Sequence, residues 1–422
     1  MIDEKLEEEL LKIFEERYRD YNTKVLIELG NVIKQIGDLI PKDAYRLGQQ
    51  LKYNTNIKKL VKELSDITKL SQDDIYKVLK KVAKQNLGFA ETYYKAKNLD
   101  VPIYEENKAL QTLVKSVYKV AGKQLKDIAK SSGITLLDKN GKAVHLSIEK
   151  AYKEVVDRSI VAISQGKETY YQTMKSTMDQ LAESGVKTIS YDNVGKTYFG
   201  RTVKKAYSQR IDTAVRRNTL DAIRQVSNES QEIFGKEFGA DGLEISVHEV
   251  PAPDHELVQG RQFSKEEYGR LQESGFAKSY NGQSIDIRNK NGSFRPISTL
   301  NCYHYVFSIV LGVSKPLYSD TELKKILTEK NKKIEFEGRK YDKYQASQVQ
   351  RKIETEIRKS KDEYILANVA GDEDLSLKQR QKINKLTRKY NELSTISGLP
   401  NKLSTRASVS GYRKVSKKKL EE

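Results

Sequence analysis

Cys302, the one cysteine of a 422-residue chain, stands two residues before His304 in the stretch TLNCYHYVF. Upstream in the same small region lie His248 and His255, so three of the four histidines and the only thiol fall close together. Three kinds of chemistry use such residues. A thiolate and imidazoles form a ligand set that zinc accepts in tetrahedral geometry, which makes His248, His255, Cys302 and His304 candidate metal ligands. The order His-x6-His followed by Cys-x-His matches none of the paired C-x2-C zinc patterns, however. The second chemistry is a structural hydrogen-bond network in which imidazoles tie loops together around a buried thiol. The third is a cysteine nucleophile, with His255 as general base oriented by Asp254 or Asp286; nothing in the spacing brings these groups together, and no catalytic residue is assigned. On a strand, Cys302 and His304 project to one face, because side chains alternate with period two.

The elements that must position these residues are mostly helical. Apolar side chains at Leu6, Leu10, Ile13, Phe14, Tyr18, Tyr21, Val25, Leu29, Val32, Ile36 and Leu39 recur every three or four residues and predict one long helix ending before Pro41. Its stripe serves either an internal core or a coiled-coil seam with a second chain. Further helices are expected from NIKKLVKELSDITKL, restarting at a capping-box-like Ser71-Gln-Asp-Asp74, and from ENKALQTLVKSVYKVAGKQLKDIAK, Ser147 to Gln165 and Thr169 to Glu183. Asn140-Gly141 between short apolar runs predicts a hairpin near 135–146. Four of the seven prolines and an alternating run, LEISVHEV, then mark a mixed unit from about residue 240, with a capped helix starting at Ser264. Helical patterning returns after Pro316 and ends in a basic tail.

The fold class read from this is mainly α: a long helical N-terminal region (1–200), a small central α+β module with its leading helix (201–316) and a helical C-terminal region with a basic tail (317–422). A formal charge of +18 attracts polyanions, and Lys402, Arg406, Arg413, Lys414, Lys417, Lys418 and Lys419 are the candidate contacts to DNA or a partner. One cysteine allows no intramolecular disulfide, and a reducing compartment is expected. The acidic, amphipathic start lacks the basic stretch and apolar run of a secretory signal, and no apolar run is long enough to span a membrane. In the polar stretch DHELVQGRQF, Gly260 is expected to supply an unusual backbone conformation, and Arg261 to pair with Asp254 or with a partner's carboxylate.

In order, VRRNTLDAIRQVSNESQEIFG, ISVHEVPAPDHELVQGRQFSKEEY and RPISTLNCYHYVFSIVLGVSKP resemble the phage minor capsid protein 2 family, related to the Mu-F-like head morphogenesis proteins. The resemblance covers roughly residues 205 to 330. On it, Arg216 and Arg217 with Asn218 and Thr219 are similar to the family's arginine helix. Asp254, His255, Gln259 and Gly260 match its Asp/His turn, and Asn301, Cys302 and His304 its closing motif. Tyr303 departs from the arginine that the family carries there. The resemblance implies a low-copy structural component of a tailed-phage head, without catalytic activity, located in the virion at the head interior or portal vertex. During assembly it implies the host cytoplasm. The implied partners are the portal protein, major capsid or scaffold proteins and double-stranded DNA, with no membrane and no certain cofactor, zinc being the one candidate. The alternatives are a nucleic-acid-binding protein outside a virion and a Cys302-dependent enzyme or toxin-like module.

Overall fold

The stripe that starts at Leu6 forms α1 (Glu4–Gly37), and α2 (Pro41–Leu51) begins on the proline that stops it. We describe a computed structural model of the chain over residues 4–53, 55–96, 98–190, 197–198, 201–202, 206–290, 292–298 and 302–412. Leu11, Phe14, Tyr18, Tyr21, Val25, Leu29, Val32 and Ile36 are all buried. Most of the α1 stripe is therefore consumed inside the chain rather than in a seam with a second one, although Ile13 is exposed and Leu6, Leu10 and Leu39 are half-buried. Two further helices, α3 (Thr55–Ala96) and α4 (Lys108–Lys130), pack as neighbours, and Asn107 caps α4 by accepting from Leu110 N at 2.9 Å.

The restart expected at Ser71 does not occur, because α3 runs through it without a break. Ser71 and Asp74 point instead at α1, where Arg17 donates to both at 3.0 and 2.8 Å. The polar spacing that reads as a helix start thus serves a contact between helices.

Strands β1 (Ser132–Leu137) and β2 (Ala143–Ser147) form the expected hairpin around Gly141, whose φ is +74°. Ser147 then caps α5 (Ile148–Ser164), and α6 (Lys167–Ser184) leads into β3 (Lys187–Ser190). A short pair, β4 (Thr197–Tyr198) and β5 (Arg201–Thr202), precedes β6 (Tyr207–Arg210), which completes an antiparallel sheet in the order β2-β1-β3-β6. The helix predicted to carry the arginines is α7 (Ile211–Glu237), buried along most of its length.

The mixed module follows. Its strands β7 (Gly242–Ile245), β8 (Gln262–Ser264) and, after α8 (Lys265–Ser274) and the hairpin β9 (Phe276–Lys278) with β10 (Ser284–Asp286), β11 (Val306–Ile309) make a sheet ordered β11-β7-β8. Ile245, Phe263, Leu271, Ile285 and Cys302 share its core. Beyond it lie α9 (Asp320–Asn331), the hairpin β12 (Ile334–Phe336) with β13 (Arg339–Tyr341), the long pair α10 (Lys343–Ala370) and α11 (Glu373–Ser397), and the single turn α12 (Leu403–Arg406). The chain is mainly helical with small β elements, as the pattern predicts.

One large hydrophobic core draws on α1 to α7 and reaches Leu366, Ala367 and Leu375 in α10 and α11, so it takes residues from all three sequence regions. Charge is also buried there. Asp212 of α7 accepts from Arg19 of α1 at 3.1 Å and from Arg358 of α10 at 3.0 Å, and Arg210 reaches Asp362 at 2.8 Å. Burial opposes the Asp212 charge, but the Arg358, Arg210 and Arg19 guanidinium groups outweigh it and hold the carboxyl well below its usual range. Three helices far apart in sequence are locked at one carboxylate. No helix of the described residues is long and apolar enough to cross a membrane.

Candidate functional site

Cys302 and His304 reach the site on an extended segment that precedes β11, rather than on the strand itself. Past Ile245 the partner strand gives way, and Ser246 instead exchanges bonds with Tyr305 through its N–H and its hydroxyl, both at 2.8 Å. The alternation of an extended chain survives: Cys302 and His304 point inward and are buried, whereas Tyr303 turns to the other side. His255 comes from the one-turn 3-10 helix Pro253–His255, its side chain fully buried.

These three side chains converge. Cys302 Sγ lies 3.2 Å from Nδ1 of His255 and 3.2 Å from Nδ1 of His304, and the two rings meet edge to face with centroids 5.6 Å apart. The three potential ligand atoms all lie within 4.8 Å of one another. His248 stands apart: its Nδ1 accepts from Val250 N at 3.1 Å, and its ring stacks on Tyr303. Burial of the Cys302 thiol opposes its ionisation, but the hydrogen bonds and charge of His255 and His304 more than offset this and hold it well below the usual thiol range. For His255, burial disfavours the charged form, yet the bonds to Cys302 and the Arg295 carbonyl raise its pKa.

The acid that a nucleophilic triad needs is engaged elsewhere. Asp254 pairs with Arg295 at 3.1 Å and stays 3.9 Å from His255 Nε2, and Asp286 pairs with Arg288 at 2.8 Å. Arg261 pairs with Asp320 rather than Asp254, an intramolecular partner that lies outside its own loop. Gly260 has φ +67°, and a Cβ there would meet Leu323 at 2.6 Å, so the backbone and the space both demand glycine. Gln259 Oε1 accepts from His248 N at 3.1 Å and lies 3.4 Å from His304 Nε2, which ties the turn to the closing segment.

Arginines bind this module to the helices. Arg224 of α7 is fully buried, donates to the Cys302 carbonyl, pairs with Glu7 of α1 at 3.1 Å and lies 4.6 Å from the Tyr303 ring centroid. Tyr303 therefore occupies a strongly basic setting: burial disfavours its ionisation, but Arg406, Arg216, Arg351 and Arg224 lower its pKa overall. Arg216 pairs twice with Glu8 at 3.0 Å, and Arg217 donates to Gln209 Oε1 at 3.0 Å. Glu8 also takes Arg406 at 3.1 Å and Lys402 at 3.5 Å, so these two candidate DNA contacts are tied to a carboxylate of the same chain. Arg413, Lys414, Lys417, Lys418, Lys419 and Asn301 lie outside the described residues. A cavity of about 260 Å³ opens between the module and the C-terminal helices, with His248, Arg295, Cys302, His304, Arg351 and Arg406 in its wall.

A second basic feature lies on α4, and its lysine spacing is visible in the sequence. On α4, Lys108, Lys115, Lys119, Lys123, Lys126 and Lys130 are all exposed and recur at steps of three, four and seven, so they lie along one face. Among the described residues no carboxylate is within ion-pair distance of any of them, and Asp127 is the one acid on the helix. The row is on the order of 33 Å long at the rise of an α-helix.

A family model described as phage minor capsid protein 2 matches residues 3–394 of this chain. No curated protein matches it, and no solved structure does.

Proposed function

Because the chain belongs to the phage minor capsid protein 2 family, we propose that it acts in head morphogenesis at the portal vertex of a tailed phage and faces the packaged DNA. A phage structural role follows from membership; the portal and the DNA belong to our reading. The observation that carries it is the family match across nearly the whole chain, helical regions included. The buried ion network supports it as well. Glu7, Glu8 and Asp212 bind the helical region, the module and the C-terminal segment to one another, which suits a part whose task is to hold shape within an assembly.

The DNA contact is assigned to the α4 row together with the tail. Six exposed lysines without acidic partners make a surface that attracts phosphates regardless of base sequence, with affinity set by counterion release. Mass spectrometry of purified virions and procapsids should find the protein in both, recovered with the portal. Its absence from both would overturn the assembly reading. For DNA, replacing Lys115, Lys119, Lys123 and Lys126 by Gln should flatten the log affinity against log salt slope by roughly 3 to 4, at about 0.9 for each phosphate that is no longer neutralised. An unchanged slope would remove the row from the interface.

A further inference from the structure

We propose that His255, Cys302 and His304 form a zinc site that clamps the turn of the mixed module to its closing segment. The argument rests on which atoms must carry hydrogen. His255 Nε2 lies 2.7 Å from the Arg295 carbonyl oxygen, which can only accept, so that nitrogen holds the ring's proton. The orientation of Gln259 is set by the His248 N–H, which needs an acceptor and finds Oε1. His304 Nε2 faces the same oxygen and must donate to it. With both Nε2 atoms protonated, each neutral ring presents an Nδ1 lone pair 3.2 Å from the Cys302 sulfur, and the Arg295 guanidinium lies 3.5 Å from Nδ1 of His255.

One thiol hydrogen covers one of the two Nδ1···Sγ contacts and leaves the other without a hydrogen between its atoms. A divalent cation displaces the thiol hydrogen and takes lone pairs from all three side chains, with the thiolate offsetting part of its charge. The donor set of one thiolate and two imidazoles is one that zinc accepts. Both rings already carry the outer-sphere acceptors, a backbone carbonyl and an amide oxygen, that metal-bound histidines use to hold their orientation. The cavity that includes Cys302 and His304 in its wall gives an ion a route in, and the fourth position is left to water or another small donor. His248 is not a ligand in this arrangement, since its Nδ1 is held by the Val250 N–H. Such a clamp closes the loop of 47 residues between His255 and Cys302, which contains α8 and three of the module's strands.

The single cysteine makes the test self-assigning. Full-length protein, dialysed against zinc-free buffer, should retain close to one zinc per chain by elemental analysis. Exchanged into cobalt(II), it should show a thiolate-to-cobalt charge-transfer band, which in this chain only Cys302 can supply. Zinc retained with that band present supports the clamp. Folded protein that takes up neither ion overturns it, and so does stoichiometric cobalt without the charge-transfer band, which would put the metal elsewhere. Cys302→Ser should lose the band and lower zinc retention at least tenfold; should that variant fail to fold, the wild-type spectrum alone decides.

Discussion

Replacing Glu8 by Gln removes one negative charge and almost no volume, at a point where three basic groups meet. Arg216 holds the carboxylate with two bonds of 3.0 Å, Arg406 approaches to 3.1 Å and Lys402 to 3.5 Å. Burial pushes the Glu8 pKa up, and the charges of Arg216 and Arg406 more than reverse this, bringing it from 4.5 down to about 2. A carboxyl depressed by that much contributes roughly 3 kcal/mol at neutral pH, since each tenfold change in proton affinity is about 1.4 kcal/mol. The amide keeps part of the hydrogen bonding, so the expected loss is roughly 2–3 kcal/mol. The sign with pH follows from the depressed value. The contribution is fully present above about pH 4.5 and disappears as pH falls through about 2, and more than half of it should be gone at about pH 3. Urea unfolding of both proteins between pH 3 and pH 8 measures the difference directly, because every other group titrates in both. A difference under about 1 kcal/mol at pH 7, or one that does not shrink on acidification, would refute the reasoning.

Arg224→Met should cost roughly 3–5 kcal/mol in urea unfolding at pH 7, because it strands buried Glu7 without its partner. Burial already raises the Glu7 pKa, and losing Arg224 raises it further, so this penalty should shrink as pH falls from neutral, because a protonated Glu7 needs no cation. Asp212→Asn should cost a similar amount, read as a lowered urea midpoint, by leaving Arg19, Arg210 and Arg358 facing one another. Since the Asp212 carboxyl is held below its usual range, that difference should persist from neutral pH down to about 4 and fade only in stronger acid. Gly260→Ala should destabilise by about 2 kcal/mol in thermal or urea unfolding, from the left-handed backbone and the close approach of Leu323. Combined with Leu323→Ala, its cost should be less than additive.

What was legible in the sequence is what repeats locally. The α1 stripe, the hairpin at Gly141, the capped start at Ser264 and the mainly helical class all rest on periods of two or three to four residues or on turn chemistry within a few residues. The nearness of Cys302, His255 and His304 was legible only as clustering along the chain; which of the histidines bond the thiol was not, and His248 gives its Nδ1 to the Val250 N–H instead. The ion pairs were hidden for a different reason. Glu7 meets Arg224 across 217 residues and Glu8 meets Arg406 across 398, and a charge in a chain this rich in charge carries no mark of its partner. Ser71 and Asp74 show the opposite error: a local pattern with a known meaning was put to tertiary use.

The path of α10 bears on how the protein is made. Leu366 and Ala367 close the core that α1 opens, Asn22 bonds Asp362 across 340 residues, and Thr23 bonds Ser410 across 387. At ribosomal rates of about 5–20 residues per second, the first helix waits roughly 20 to 70 s for the last one that covers it. Throughout synthesis the nascent chain carries an apolar stripe of leucine, tyrosine and isoleucine with part of its cover missing. Yield in a host should therefore depend on chaperone supply and on translation speed more than on the stability of the finished fold, and a chain stalled before α10 should be recovered in aggregates.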